Sequence, residues 1–182
     1  MSLKATYLET VLPQLQTQLG VTNRHAAPKL EKVVVNVGTG SLREVAKIHE
    51  IVPHDLALIT GQKPVARQAR KAVAAFKLRA GEIVGYAVTL RGARMYDFFQ
   101  RLISITLPRI RDFRGLPLDG FDGHGNYSFG IREHAVFPEI DHDHVQHFYG
   151  LGVTVHTSAK SNQAGEALLR SLGFPLQKRE GN

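Results

Sequence analysis

The chain contains no cysteine, which excludes disulfides, thiolate metal centres and thiol nucleophiles from the outset. It has no apolar run of membrane-spanning length. Met1 to Gly20 carries Lys4, Glu9 and several glutamines where a signal peptide needs an apolar core, so a soluble cytoplasmic protein with no membrane partner is expected. Also missing are a phosphate loop ending in Gly-Lys-Ser/Thr and a serine in a nucleophile elbow. Gly38-Thr39-Gly40 begins like a dinucleotide fingerprint, but the third glycine position is Arg43. A nucleotide-binding enzyme domain using the Gly38–Gly40 turn is therefore the weaker alternative. No acid, base and nucleophile set accompanies it, and neither catalysis nor a cofactor is expected. Internal repeats and low-complexity tracts are absent as well.

What is present is an ordinary globular balance, 43% hydrophobic and 21% charged over 182 residues, enough for one compact domain spanning 1–182. The net charge of +7 and pI near 9.9 point to a polyanionic partner. The charge is also polarised along the chain. Between Asp55 and Glu82 there is no acidic residue, while Lys63, Arg67, Arg70, Lys71, Lys77 and Arg79 all fall there. From Gly115 to His147 the balance inverts, with Asp119, Asp122, Glu133, Glu139, Asp141 and Asp143 against Arg132 alone. One basic and one acidic pole suggest two different partners.

Hydrophobic periodicity sets out the elements. Tyr7, Leu8, Val11, Leu12, Leu15 and Leu19 recur at helical spacing up to Gly20, with a disturbance expected at Pro13. Glu31 to Val37 reads as a strand with Lys32, Val34 and Asn36 on one face and Val33, Val35 and Val37 on the other. Ser41 to Glu44 has capping-box spacing and predicts a helix toward Thr60, broken or restarted at Pro53 and closed by Gly61. Gln62 to about Arg67 and Ile83 to Arg91 predict a hairpin whose long basic tip is mobile. A helix is expected over Ala93 to Leu107, stopped by Pro108, then a loop, a short strand over Asn126 to Ile131, a last strand over Leu151 to His156 and a helix over Ser161 to Leu172. The order does not alternate as a doubly wound sheet requires. The expected class is α+β, a mainly antiparallel sheet with helices on one face and the other face open.

On that open face Asn36, Gln62, Thr89 and Arg91 are the candidate contacts, because polar groups there must meet water or a hydrogen-bonding partner. Phe76 beside the basic arm is a candidate for base stacking, whereas Tyr86 is assigned to the core. Asp141-His142-Asp143-His144-Val145-Gln146-His147 is the one metal-like cluster; it lacks a defined third ligand and is read as a solvated acidic loop, with no metal site.

The ordered motifs then carry a resemblance. Pro28 to Lys32 leading into Asn36-Val37-Gly38, Asp55 to Pro64, and Phe76 to Arg79 come first. Thr89-Leu90-Arg91-Gly92, Arg94-Met95-Tyr96, Arg101 to Ser104, Leu107-Pro108-Arg109 and Arg111 to Gly115 follow, with Phe121-Asp122-Gly123, Gly125-Asn126-Tyr127 and Phe137 to Ile140 completing the series. Over almost its whole length the chain resembles the universal uL5 family, large-subunit ribosomal protein five of bacteria. The resemblance implies an α+β domain whose sheet binds 5S rRNA and helps anchor it to 23S rRNA in the central protuberance, beside other 5S rRNA-associated ribosomal proteins. It makes Lys32, Asn36, Gln62, Lys63, Thr89, Arg91 and Arg94 the expected rRNA contacts. It places the loop carrying Arg70, Lys71, Phe76, Lys77 and Arg79 near P-site tRNA. It also implies an intersubunit bridge to a small-subunit head ribosomal protein, assigned to Arg111, Arg114, Glu139, Asp141 and Asp143. The sequence departs from the family pattern at Pro53-His54 and in the histidine-rich run from Asp141 to His147.

Overall fold

β-Branched residues at alternate positions of Leu30–Gly38 (β1) bury Val33, Val35 and Val37 and leave Asn36 exposed, with Lys32 and Val34 half-buried. This is the expected division of faces. The computed structural model describes residues 2–42, 45, 47–141, 145 and 147–178. The remaining strands are Val65–Gln68 (β2), Ile83–Leu90 (β3), Tyr127–Ile131 (β4) and Leu151–Thr157 (β5). They form one five-stranded antiparallel sheet in the order β2-β3-β1-β5-β4, and the fold is α+β as expected.

The chain gathers into two compact units. The first comprises 1–33, 90–129 and 153–182; the second comprises 34–89 and 130–152. Strands β1, β3, β4 and β5 each pass from one unit into the other.

In the first unit the leading helix runs as Leu3–Thr6 (α1), a π turn over Tyr7–Val11, and Leu12–Leu19 (α2), closed by left-handed Gly20. Pro13 disturbs it as expected. Its ring falls in the first turn of α2, and the wider π turn before it absorbs the missing donor. Gly92–Arg101 (α4) continues through a second π turn, Leu102–Thr106, into a 3₁₀ turn at Leu107–Arg109 that contains Pro108. That inserted turn shifts the buried phase to Leu102, Thr106 and Leu107 and leaves Ile105 outward. Asn162–Ser171 (α5) is capped by the Ser161 side chain, which accepts from the Ala164 amide. Phe174 stacks on Phe99, with centroids 5.4 Å apart, and meets Tyr127 edge-on at 5.6 Å.

In the second unit Ile48–Thr60 (α3) departs from the expected helix in two ways. It begins at Ile48, after Lys47 in a left-handed conformation, and the segment near Ser41 instead makes a short 3₁₀ turn, Gly40–Leu42. Arg43 and Glu44 of the expected capping box lie outside the described residues. Pro53 also fails to break the helix and sits inside it. The reason is a distant donor. Proline at position 53 leaves the His49 carbonyl without its helical partner, and the Tyr86 hydroxyl on β3 donates to that carbonyl at 3.2 Å. His49 Nδ1 lies 3.3 Å from the same hydroxyl. Tyr86→Phe is expected to lower stability by about 1 kcal/mol, as for the loss of a half-buried hydrogen bond. The loss should largely vanish in a Pro53→Ala background, where the helix supplies its own donor; a double-mutant cycle by urea denaturation measures the coupling.

The hairpin forms with Val65 opposite Ala87 and Arg67 opposite Gly85. Strand β2 starts at Val65, later than expected, after Pro64, which has no amide to offer the ladder. The tip is itself folded. Val73 and Leu78 pair around a 3₁₀ turn, Ala74–Phe76, with Lys77 left-handed, and Gly81 donates to the Ala69 carbonyl at 2.9 Å.

Candidate nucleic-acid interface

In the second unit β3 places small residues beside β1. Gly85 lies so close to β1 that a Cβ there would stand 2.4 Å from the Val37 carbonyl oxygen, and Ala87 follows on the same face. On β5, a Cβ at Gly152 would meet the Asn36 amide oxygen at 2.8 Å, so Asn36 lies across Gly152 with its polar end exposed. Gln62 is positioned by the turn that ends α3. Thr60 Oγ1 donates to the Leu56 carbonyl at 2.6 Å and accepts from the Gln62 amide at 3.3 Å, while Gly61 takes the left-handed conformation the turn needs. The Gln62 side chain then donates to the Thr89 carbonyl at 3.4 Å. Asn36, Gln62 and Thr89 are thus exposed or half-buried polar groups, with Lys63 exposed beside Gln62.

In the first unit Lys32 is half-buried on β1, Arg91 is exposed where β3 ends, and Arg94 is exposed in the first turn of α4. A residue that sequence reasoning missed lies with them. His156 is half-buried on β5, and the charges acting on it are those of Lys32, Asp122, Glu31 and Arg91. Burial first, then the Lys32 ammonium, hold its imidazole below the usual histidine range; Asp122 and Glu31 oppose this and Arg91 adds to it. The only sequence signal was its place in a β-branched alternation, which does not show which neighbours the strand order brings.

The arm carries Arg70, Lys71, Phe76, Lys77 and Arg79, all exposed, with Phe76 at 73%. Arg111 and Arg114 are exposed on either side of left-handed Asp112 in the first unit. Glu139 is half-buried and Asp141 exposed in the second unit, where both line a cleft of roughly 580 Å³ together with Glu50, Ile51 and Leu58. Asp143 lies outside the described residues, as do His142 and His144 of the metal-like run. Among the described residues no group of three or more histidines and carboxylates is placed to hold a metal ion. Among them, too, no helix is long and apolar enough to cross a membrane.

Two arrangements that resemble chemistry do none. The Thr39 amide, which a phosphate at the Gly38–Gly40 turn would need, donates to the Val84 carbonyl at 3.0 Å. In the second unit Tyr149 donates to Asp55 at 2.8 Å and stacks on buried His134, with centroids 3.8 Å apart and planes 7° from parallel. His134 Nε2 is 3.6 Å from the same carboxylate. Burial, then the charge of Asp55, pushes the Tyr149 hydroxyl far above its usual range. It therefore stays protonated and serves as a donor that ties Tyr149 to α3.

Family models match both parts of the chain: "Ribosomal protein L5" over 23–79, and the C-terminal part of the same ribosomal family over 83–176. The chain belongs to the ribosomal L5 family. Members of that family are structural ribosomal proteins, not enzymes, and the Gly38–Gly40 turn is accordingly a turn. Among curated relatives, the large ribosomal subunit protein uL5 of a Synechocystis strain is 53% identical over 96% of this chain and 97% of its own length. The uL5 of Parasynechococcus marenigrum is 52% identical over 97% and 99%. That of Microcystis aeruginosa is 50% identical over 96% and 98%.

Proposed function

We infer that this family member is a structural component of the large subunit of the bacterial ribosome and binds 5S rRNA on the non-core face of its sheet. It helps attach that RNA to 23S rRNA in the central protuberance, next to the other 5S rRNA-associated ribosomal proteins. The polar group of Asn36, Gln62 and Thr89 carries this reading. Asn36 leans over a glycine and Gln62 is fixed from behind by Thr60, so hydrogen-bonding groups are already oriented there. Such a surface suits the broad, shallow minor groove and backbone of folded RNA, read by shape and phosphate rather than by base edges. Lys32, Lys63, Arg91 and Arg94 supply the charge.

The exposed basic arm approaches P-site tRNA, with Lys77 and Arg79 on phosphates and Phe76 against the tRNA beside them. Glu139, Asp141 and Asp143, with Arg111 and Arg114, make an intersubunit bridge to a ribosomal protein of the small-subunit head; the acidic segment favours a basic partner. We also propose that 1–182 works as one domain, because four of the five strands run through both units.

Gel-shift titration with 5S rRNA and an unrelated RNA of equal length tests the main reading. Tight, competitor-resistant binding of 5S rRNA alone supports it, and equal affinity for both RNAs contradicts it. For the arm, ribosomes carrying Lys71→Ala, Lys77→Ala and Arg79→Ala together are expected to bind P-site tRNA with a salt slope shallower by about 2, each phosphate contact contributing roughly 0.7–0.9. An unchanged slope would remove the arm from the tRNA.

A further inference from the structure

We propose that Arg91, Lys32 and His156 form a phosphate site in the first unit, and that its occupation by RNA is coupled to the uptake of one proton by His156. The proposal rests on the RNA-binding reading above and adds a residue and a linkage to it.

The geometry comes from the strand order. β3, β1 and β5 are neighbours in that sequence, and Arg91, Lys32 and His156 come from the end of β3, from β1 and from β5. Ser158 donates to the Lys29 carbonyl at 2.9 Å, which brings the end of β5 alongside the beginning of β1. The burial alternation of β1 slips by one residue there: Glu31 and Lys32 both lie outside the core between buried Leu30 and Val33. His156 on the neighbouring strand therefore lies within the field of both a carboxylate, Glu31, and an ammonium, Lys32. With strands about 4.8 Å apart, the three groups span about 10 Å across the sheet, a reach that suits an RNA backbone crossing the strands.

The electrostatics give the proton its role. Without RNA, His156 is half-buried beside Lys32 with Arg91 near, so the neutral imidazole is favoured at pH 7 and gaining a proton costs free energy. Glu31 on β1 and Asp122 ahead of β4 are the opposing charges. Asp122 is engaged in its own turn, accepting from the His124 amide at 2.8 Å and from the Asn126 side chain at 2.7 Å. A phosphate placed against Lys32 and Arg91 reverses the local sign. It neutralises the two cations that disfavour imidazolium and offers it an acceptor, so His156 takes one proton from solvent and donates to the phosphate. The sign follows from linkage: RNA binding strengthens as pH falls through the range between the free and the bound histidine pKa.

The test is 5S rRNA binding by the wild-type chain and by His156→Gln, which keeps a polar side chain of similar size but cannot titrate. Calorimetry near pH 7 in two buffers of different ionisation enthalpy counts the protons taken up. The wild type is expected to take up more than the variant, and its affinity to rise on the order of 3- to 10-fold more than the variant's between pH 8 and pH 5.5. An imidazole NMR titration of the wild type, free and RNA-bound, reads the same shift without any variant, and His156 should titrate higher in the complex. Equal proton uptake by the two proteins, or an unmoved His156 titration, would overturn the proposal while leaving 5S rRNA binding intact. Failure of the wild type to bind 5S rRNA at all would instead remove the reading on which it rests.

Discussion

Replacing Asn36 and Thr89 together with alanine is expected to weaken 5S rRNA binding by roughly 10- to 100-fold while leaving the fold intact. Asn36 is exposed and Thr89 half-buried, and neither side chain fills the core. The Gln62 side chain donates to the Thr89 backbone carbonyl, which alanine keeps. The loss therefore falls on RNA contacts. A hydrogen bond to a charged group contributes about 1.5–3 kcal/mol, and about 1.4 kcal/mol is a factor of ten. Two partly compensated contacts give the stated range. A gel-shift titration at fixed salt measures it, with thermal melting as the control for folding. Binding within twofold of the wild type would detach these two residues from the interface.

Gly85→Ala is expected to have the largest effect on stability, about 2–4 kcal/mol, seen as a fall in melting temperature of roughly 5–12 °C. The added carbon would stand 2.4 Å from the Val37 carbonyl oxygen, and that atom is backbone in the adjoining strand. Relief requires β3 and β1 to part, not a side chain to turn. The strain also reaches Thr39, whose amide donates to Val84 next to Gly85. RNA binding should weaken too, because β1, which carries Asn36, would shift away from β3. A melting temperature within 1–2 °C of the wild type would show that the strands can separate there cheaply.

Some of this was legible in the residues alone and some was not. The faces of β1 could be read because Val33, Val35 and Val37 alternate with polar neighbours, and a strand has a period of two. The ends at Gly20 and Gly61 could be read because a left-handed terminus favours glycine. The start of α3 and its passage through Pro53 could not. The donor that rescues the His49 carbonyl is Tyr86, 37 residues further along, and no local signal records it. The π turns at Tyr7–Val11 and Leu102–Thr106 shifted helical phase for a similar reason: an inserted residue changes which side chains face inward. Asn36, Gln62 and Thr89 could be listed as polar residues on strands and turns, but Gly85 and Gly152, which leave room for β1 and for the Asn36 side chain, showed their role only in the folded sheet. His156 was invisible on the same ground. Asp55 and Tyr149, 94 residues apart, meet only in the folded chain.

Lysine acetylation of the free protein and of its complex with 5S rRNA tests most directly which side of the sheet carries the RNA. Lys32 and Lys63 belong to the proposed face, whereas Lys47 lies at the start of α3 and lines the acidic cleft. Protection of Lys32 and Lys63 by the RNA, with Lys47 reacting at its free rate, is the predicted result. Protection of Lys47 with Lys32 and Lys63 unchanged would contradict it and move the RNA to the helical side.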